Sequence, residues 1–324
     1  MKTFNYQIEV DWHINDFCNF NCIYCFDAHE KNDAFIGLGD MPKIVDAFNN
    51  SGHVWLIGMT GGEPFFVPHF IDLCLKLTKN HFISINTNLS HKDIILFAEY
   101  TNPEKVTSVH CSLHIQERER LNLVTDFINK FKLLQKKGFN VFVSYLLYPH
   151  LIKRFIKDYE CFKSEGIILM PKVFRGNCAR FEFIDSKIFS KIRNFFGSTY
   201  PQAYSSKQRE IINRFMDRSI DDWKTAVKAE SDLQKERLSD IWFDRFFVNG
   251  PPNFKGKFCE AGKKFVVMNT MGDIYRCHSQ KDYLGNIFIE QIKLYDKIKQ
   301  CIVSKCGCPA FGYKYILEKN NSYA

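Results

Sequence analysis

Six apolar segments of strand length, each followed by a stretch of helical length, constrain this chain more than any other feature. They are QIEVDWHI (7–14), VWLIGM (54–59), FISINT (82–87), SVHCSLH (108–114), VFVSYLLY (141–148) and IILMPKV (167–173). The clearest intervening helix is predicted over 119–138, where Leu121, Val124, Ile128 and Phe131 recur at three- and four-residue spacing and Gly138 stands ready to end it. Alternation of this kind builds a parallel sheet covered by helices. Six units rather than eight predict an α/β fold with a partial (β/α)6 barrel.

The later strands are not apolar on both faces, as strands of a closed, packed parallel barrel should be. One parity is polar: Ser84, Asn86 and Asn88 on the third, His110, Ser112 and His114 on the fourth, Ser144 on the fifth. If that parity points inward, the interior near the strand C-termini is a binding cavity. Taken singly, each of these side chains also reads as a hydrogen-bonded strand residue.

The rhythm stops after the sixth segment, giving three expected domains. Residues 1–184 form the barrel, and 185–255, charged and helical, form a bridging insertion whose Trp223, Trp242, Phe243 and Phe246 read as packing residues. Residues 256–324 follow the Gly/Pro-marked boundary GPPNFKGK as a small cysteine-bearing module. No signal peptide or run of about 18 apolar residues is present, so a cytoplasmic protein with no membrane partner is expected. Twelve cysteines in such a compartment point to metal or catalysis rather than a disulfide framework. The net charge of +8 is uneven: residues 1–100 hold 6 basic and 12 acidic side chains, leaving the excess of positive charge to the remainder. That balance suits an ordinary solvated surface as well as attraction of an anionic substrate, nucleic acid or an acidic redox partner.

Three cysteines crowd into CNFNCIYCF, with the spacing C-x3-C-x2-C over Cys18, Cys22 and Cys25, in the loop after the first strand. Three thiolates can hold three irons of a 4Fe-4S cube and leave the fourth without a protein ligand. A zinc site would need a fourth ligand, His13 or His29. One βα unit later comes TGGEP, Thr60 to Pro64: Gly61 and Gly62 permit close backbone approach, and Glu63 places a carboxylate at the mouth of the barrel.

The pairing of CNFNCIYCF with GGEP resembles the radical S-adenosylmethionine (radical SAM) superfamily, which uses a partial (β/α)6 barrel. The resemblance implies that Cys18, Cys22 and Cys25 ligate a 4Fe-4S cluster whose open iron chelates the methionine half of SAM. It places Tyr24 at the adenine, Gly61, Gly62 and Glu63 at the methionine ammonium, and Thr87, Asn88 and Ser144 near the ribose. Leu89 stands where the family often has glycine, and His114 where many relatives have aspartate, so His114 is a candidate to face substrate. The implied chemistry is reductive cleavage of SAM to a 5'-deoxyadenosyl radical that removes hydrogen from an unactivated C–H bond.

A second cysteine group follows in 256–324. Cys259 and Cys277 flank a predicted hairpin turning at Asn269 to Asp273, YLGNI (283–287) comes next, and Cys301, Cys306 and Cys308 end the series. This resembles the SPASM module or its shorter twitch relative, which carries auxiliary iron-sulfur clusters. The implied ligands of one auxiliary 4Fe-4S cluster are Cys259, Cys277, Cys306 and Cys308, with Cys301 as the alternate; a zinc knuckle is the competing reading. Such a cluster makes the expected enzyme an oxidoreductase, with flavodoxin or ferredoxin as electron donor. The expected substrate is a ribosomal peptide or protein, or else a small metabolite such as a sugar, aminocyclitol or nucleotide, with RNA the least favoured. Only 17 residues precede Cys18, which leaves no room for the N-terminal peptide-recognition wing that many such maturases carry. Cys178, within the basic segment PKVFRGNCAR, is a candidate hydrogen-atom donor, and the segment itself a candidate anion site. A non-enzymatic role in electron transfer completes the alternatives.

Overall fold

A computed structural model describes residues 4–25, 41–179, 197–226, 244–245, 247–249, 253–289, 292–304, 306 and 316–317. Cys308, His29, Arg180, Trp242, Phe243 and Phe246 lie outside them. Strands β1 (Ile8–Asn15), β2 (Trp55–Gly61), β3 (Phe82–Thr87), β4 (Val106–Ser112), β5 (Val141–Leu147) and β6 (Leu169–Val173) lie side by side in chain order, all parallel. Helices α1 (Met41–Asn50), α2 (Phe70–Leu77), α3 (Ile94–Tyr100), α4 (Ile115–Arg120), α5 (Val124–Lys136) and α6 (Ile152–Ser164) occupy the crossovers. Right-handed crossovers between sequential neighbours put every helix on one face of the sheet. That face is apolar and buried, with Ile57, Met59, Ile83, Ile85, Val109, Cys111 and Val143 at its centre.

The opposite face carries the polar parity. Register sets Gly58 beside Ser84 and Ser108, Asn86 beside His110 and Phe142, and Ser112 beside Ser144. His110 stacks on Phe142 at 4.4 Å and shares a 3.0 Å hydrogen bond with Asn86. The sheet does not close into a barrel among the described residues, since β6 pairs only with β5.

The single helix expected over 119–138 is two. Asn122, at φ 56°, is the left-handed residue that ends α4: Leu123 N–H donates to Arg118 O and Asn122 N–H to Glu119 O. Asparagine tolerates that backbone conformation, so it stops the helix as glycine would. Gly138 ends α5 as expected, at φ 86° with Phe139 N–H donating to Leu134 O. The fourth strand ends at Ser112 rather than His114, whose φ of 45° turns the chain into α4.

Two expected boundaries are bridged by pairing. The hairpin of β7 (Gly176–Ala179) with β8 (Gly197–Tyr200) crosses the barrel–insertion boundary at 184/185. Next comes α7 (Ser206–Ala226), the one long helix among the described residues of the insertion, with Ser219 Oγ donating to Leu169 O of β6 at 2.8 Å. Short β9 (Phe258–Cys259) pairs with β13 (Lys299–Gln300) and β14 (Ile316–Leu317). The expected hairpin is β10 (Phe265–Met268) and β11 (Asp273–Tyr275), followed by β12 (Tyr283–Asn286). These last three extend the main sheet, because β10 lies parallel to β1, Val10 beside Val266. The cysteine-bearing module is thus hydrogen-bonded to the barrel's first strand.

Candidate active site

The loop from Phe17 to Cys25 leaves the C-terminal end of β1 and is fastened to the turn after β2. Gly62 N–H donates to Asn15 O at 2.8 Å and Glu63 N–H to Phe17 O at 2.7 Å, while Asn15 Nδ2 donates to Glu63 O at 3.0 Å. Side chains at the two glycines would destroy this contact: a Cβ at Gly62 would fall well under 3.0 Å from the Phe17 carbonyl, and one at Gly61, whose φ is 126°, would strike the Asn15 carbonyl. The sequence needs glycine there because two backbones touch.

Glu63 has no solvent exposure. Its carboxylate accepts from Thr87 Oγ1 at 2.7 Å, Asn88 N–H at 2.5 Å and Phe65 N–H at 3.3 Å. Burial pushes its pKa up to about 7 against the pull of these donors and of the Arg118 guanidinium. The side chain therefore ties the ends of β2 and β3 together. The Thr87–Asn88–Leu89 turn keeps the conformation glycine would adopt: Leu89 has φ 59°, is fully buried, and its N–H donates to Thr87 Oγ1 at 2.8 Å.

Asn88 Nδ2 lies 3.7 Å from Cys18 Sγ and 2.9 Å from Asn19 Oδ1, linking the third strand to the cysteine loop. Cys18, Cys22 and Cys25 are close enough for mutual electrostatic repulsion, and Cys25 N–H donates to Cys22 O at 3.1 Å. Burial pushes the Cys18 thiol up to about 12 and Cys22 well above its ordinary range. Among the described residues no group of three or more His, Cys, Asp or Glu converges on a single-ion position, and His13 is occupied by Asp16 at 2.6 Å. Cubane ligands each bind a different iron, so a trio spread along one loop suits a cluster.

Tyr24, Tyr148 and His114 form an aromatic group beside this loop. Tyr24 Oη is 3.1 Å from His114 Nδ1, the two rings stack at 5.8 Å, and Tyr148 packs on Tyr24 at 5.2 Å. Ser144 lies on the interior face beside Ser112. Behind the loop sits Arg118, fully buried, which the charged run around it gave no reason to single out. It donates to the carbonyls of Asn88, Leu113 (2.6 Å) and Ser112 (3.3 Å), and its guanidinium lies 4.0 Å from the Phe127 ring.

The comparisons bear on this arrangement. Residues 12–160 match the family described as the Radical SAM superfamily. This stretch is a radical SAM domain. Its similarity to curated proteins is local: 34% identity over 65 residues to the GTP 3',8-cyclase of Vibrio vulnificus, 18% of this chain and 19% of that one. Similarity to the S-adenosylmethionine-dependent nucleotide dehydratase of Selenomonas ruminantium is 41% over 56 residues, 17% of this chain and 20% of that one. The match thus spans about a fifth of the length of these relatives. In fold, 88% of the chain superposes on anSMEcpe, solved with bound AdoMet and the Cp18Cys peptide, with a TM-score of 0.59, 17% identity and 79% of that chain covered. Streptococcus suis SuiB bound to its precursor peptide SuiA gives 0.53, 14% identity, 88% of this chain and 63% of that one.

Beyond the radical SAM domain, Cys259, Cys277, Cys301 and Cys306 line one cavity together with Arg276 and Phe254. Cys301 joins the three implied ligands that lie within the described residues. Burial pushes the Cys259 thiol up to about 11 and raises Cys301 as well. Next to Cys277, His278 Nε2 meets Asp11 Oδ2 of β1 at 2.8 Å, a cross-link between the module and the barrel.

Cys178 is buried in β7 with its Sγ 3.5 Å from His150 Nε2, a partner not anticipated from sequence. In the basic segment, Arg175 pairs with the buried Asp244 at 2.7 Å and stacks 3.8 Å from Phe247. Asp244 also accepts from Val173 N–H at 2.8 Å and faces Lys172 at 3.7 Å. That part of the segment braces the insertion against β6. Among the described residues no helix is long and apolar enough to cross a membrane.

Proposed function

We propose that this chain is a radical SAM oxidoreductase that modifies a peptide or protein, with Cys18, Cys22 and Cys25 holding the SAM-binding 4Fe-4S cluster and a second cluster in the C-terminal module. The observation that carries the reading is the three-thiol loop clamped to Gly61–Gly62–Glu63 through the Asn15 and Phe17 carbonyls. When bound, a cluster with one iron free of protein ligands supplies the electron that cleaves SAM to methionine and a 5'-deoxyadenosyl radical. The chain's own residues do the positioning. Asn88 holds the Cys18 end of the loop, Glu63 and Arg118 lock the strand ends beneath it, and Tyr24 with Tyr148 walls off one side from water. Ser112, Ser144, Asn86 and His110 offer hydrogen bonds to a ribose or substrate from the interior face.

Cys259, Cys277, Cys306 and Cys301 are the thiolates within reach of one auxiliary cluster, and Cys308 remains a candidate outside the described residues. A fully thiolate-ligated cluster is suited to accept an electron from a substrate radical, which supports net oxidation; flavodoxin or ferredoxin is the proposed donor to the first cluster. The fold likeness to anSMEcpe and SuiB, each solved with a peptide, supports a peptide substrate. A second reading, a nucleotide or other small metabolite, draws on the local similarity to the GTP cyclase and the nucleotide dehydratase. The test is anaerobic reconstitution with SAM and a chemical reductant. Formation of 5'-deoxyadenosine that is lost in Cys22→Ala is the expected result; a cluster-replete protein that forms none overturns the proposal.

A further inference from the structure

Among the described residues, two of the largest fully buried side chains are arginines, Arg118 behind the first cysteine group and Arg276 behind the second. Arg118 has no carboxylate within 4.0 Å among the described residues but feels the charge of the more distant Glu63. Arg276 has no carboxylate within 4.0 Å among the described residues. Among the described residues its guanidinium donates to carbonyls, of Ala261 at 3.3 Å and of Lys299 and Gln300 at 3.2 Å each. It lines the same cavity as Cys259, Cys277, Cys301 and Cys306. A buried cation with no carboxylate beside it among the described residues is costly, so the cavity next to it suits a negatively charged occupant.

We propose that Arg276 is a positioning residue that sets the redox poise of the auxiliary cluster, a role that rests on the reading of this module given above. The three carbonyl clamps fix the guanidinium against the thiolate cage. There it favours whichever state carries the additional negative charge, and that is the reduced one. Electron acceptance is made easier: one electron leaves the substrate radical for the oxidised cluster, and the proton released with it passes to solvent. Arginine suits the task because its charge cannot be lost by deprotonation on burial.

The full chain carrying Cys18→Ala, Cys22→Ala and Cys25→Ala isolates the auxiliary site for an EPR-monitored potentiometric titration after anaerobic reconstitution. About four irons per chain should remain in this background. Adding Arg276→Gln should then move the midpoint negative by at least the equivalent of a tenfold loss in electron acceptance, about 59 mV. Arg276→Lys, which keeps the charge, should move it by less than half as much. Iron retained with an unmoved midpoint in Arg276→Gln overturns the role of Arg276 and leaves the cluster reading intact. A background that binds no iron, or binds zinc, overturns the cluster reading and this role with it. If Arg276→Gln alone sheds iron, Arg276→Lys decides: iron kept with a near-native midpoint supports the charge, and equal loss shows packing alone.

Discussion

Thr87 donates its hydroxyl to Glu63 Oε1 at 2.7 Å, joining the C-terminal ends of two neighbouring strands at a point closed to solvent. With Asn88 N–H on the other oxygen, the carboxylate is the pin on which the cysteine loop's seat is built. Glu63→Gln turns an amide NH2 toward a donor and should destabilise the chain by about 1–3 kcal/mol in denaturant unfolding. A pH dependence follows from the carboxyl's raised pKa of about 7 against an ordinary 4.5. The folded state holds this proton more tightly, so the group's contribution is complete below pH 4.5 and is lost as pH rises through about 7. The loss is on the order of 3 kcal/mol. The stability gap between wild-type and Glu63→Gln apoprotein should therefore narrow from about pH 5 to about pH 8, and a gap that widens contradicts the assignment.

Gly62 and Gly166 make a matched pair for a backbone test. A Cβ on Gly62 meets the Phe17 carbonyl, whereas Gly166, at φ 78°, faces open space. Gly166→Ala should cost only the left-handed conformation, about 1 kcal/mol. Gly62→Ala should cost more than about 3 kcal/mol or displace the cysteine loop, read as loss of both reconstituted iron and SAM binding. Equal behaviour of the two variants would show that the loop is not seated as described.

Most of the parallel sheet was legible because buried strands write their pattern locally: each of the six predicted segments overlaps an observed strand. The C-x3-C-x2-C and GGEP motifs were legible for the same reason, being short and contiguous. What escaped depends on long-range pairing. Nothing in FVVM (265–268) says that it will lie parallel to β1, or that His278 will close on Asp11, 267 residues before it. Arg118 and Arg276 sit in charged or polar surroundings in the sequence and are buried only because carbonyls from elsewhere receive them. The helix break at Asn122 had a local signal, an asparagine able to take positive φ, outweighed by the apolar periodicity running through it. The three donors that hold the Glu63 carboxylate come from β3 and from the turn after β2, and no local pattern in the sequence announces them.

Leu89 reverses the usual ranking of alanine over glycine. Its φ of 59° costs an L-residue about 1–2 kcal/mol, tolerated because the side chain is fully buried. Leu89→Ala loses the packing, about 2–5 kcal/mol, and keeps the strain. Leu89→Gly loses similar packing and relieves the strain, so it should be at least as stable as Leu89→Ala by thermal or denaturant unfolding. An alanine variant clearly the more stable of the two would mean that the turn does not hold this conformation in solution.

Cys301 tests the auxiliary cavity against the first cluster. It shares that cavity with Cys259, Cys277 and Cys306, whereas Cys161 is exposed on α6 and serves as a control. Cys301→Ala should lower reconstituted iron from about eight to about four per chain. Formation of 5'-deoxyadenosine should persist, because the loop at Cys18 to Cys25 is untouched, but coupling to oxidised product should fall. Cys22→Ala should do the reverse, holding about four irons and forming no 5'-deoxyadenosine. Cys161→Ala should change neither quantity. Iron that stays near eight in Cys301→Ala would assign the fourth thiolate to Cys308, and a loss of 5'-deoxyadenosine in that variant would mean that the two sites are not separable in the way their placement after β1 and after β13 implies.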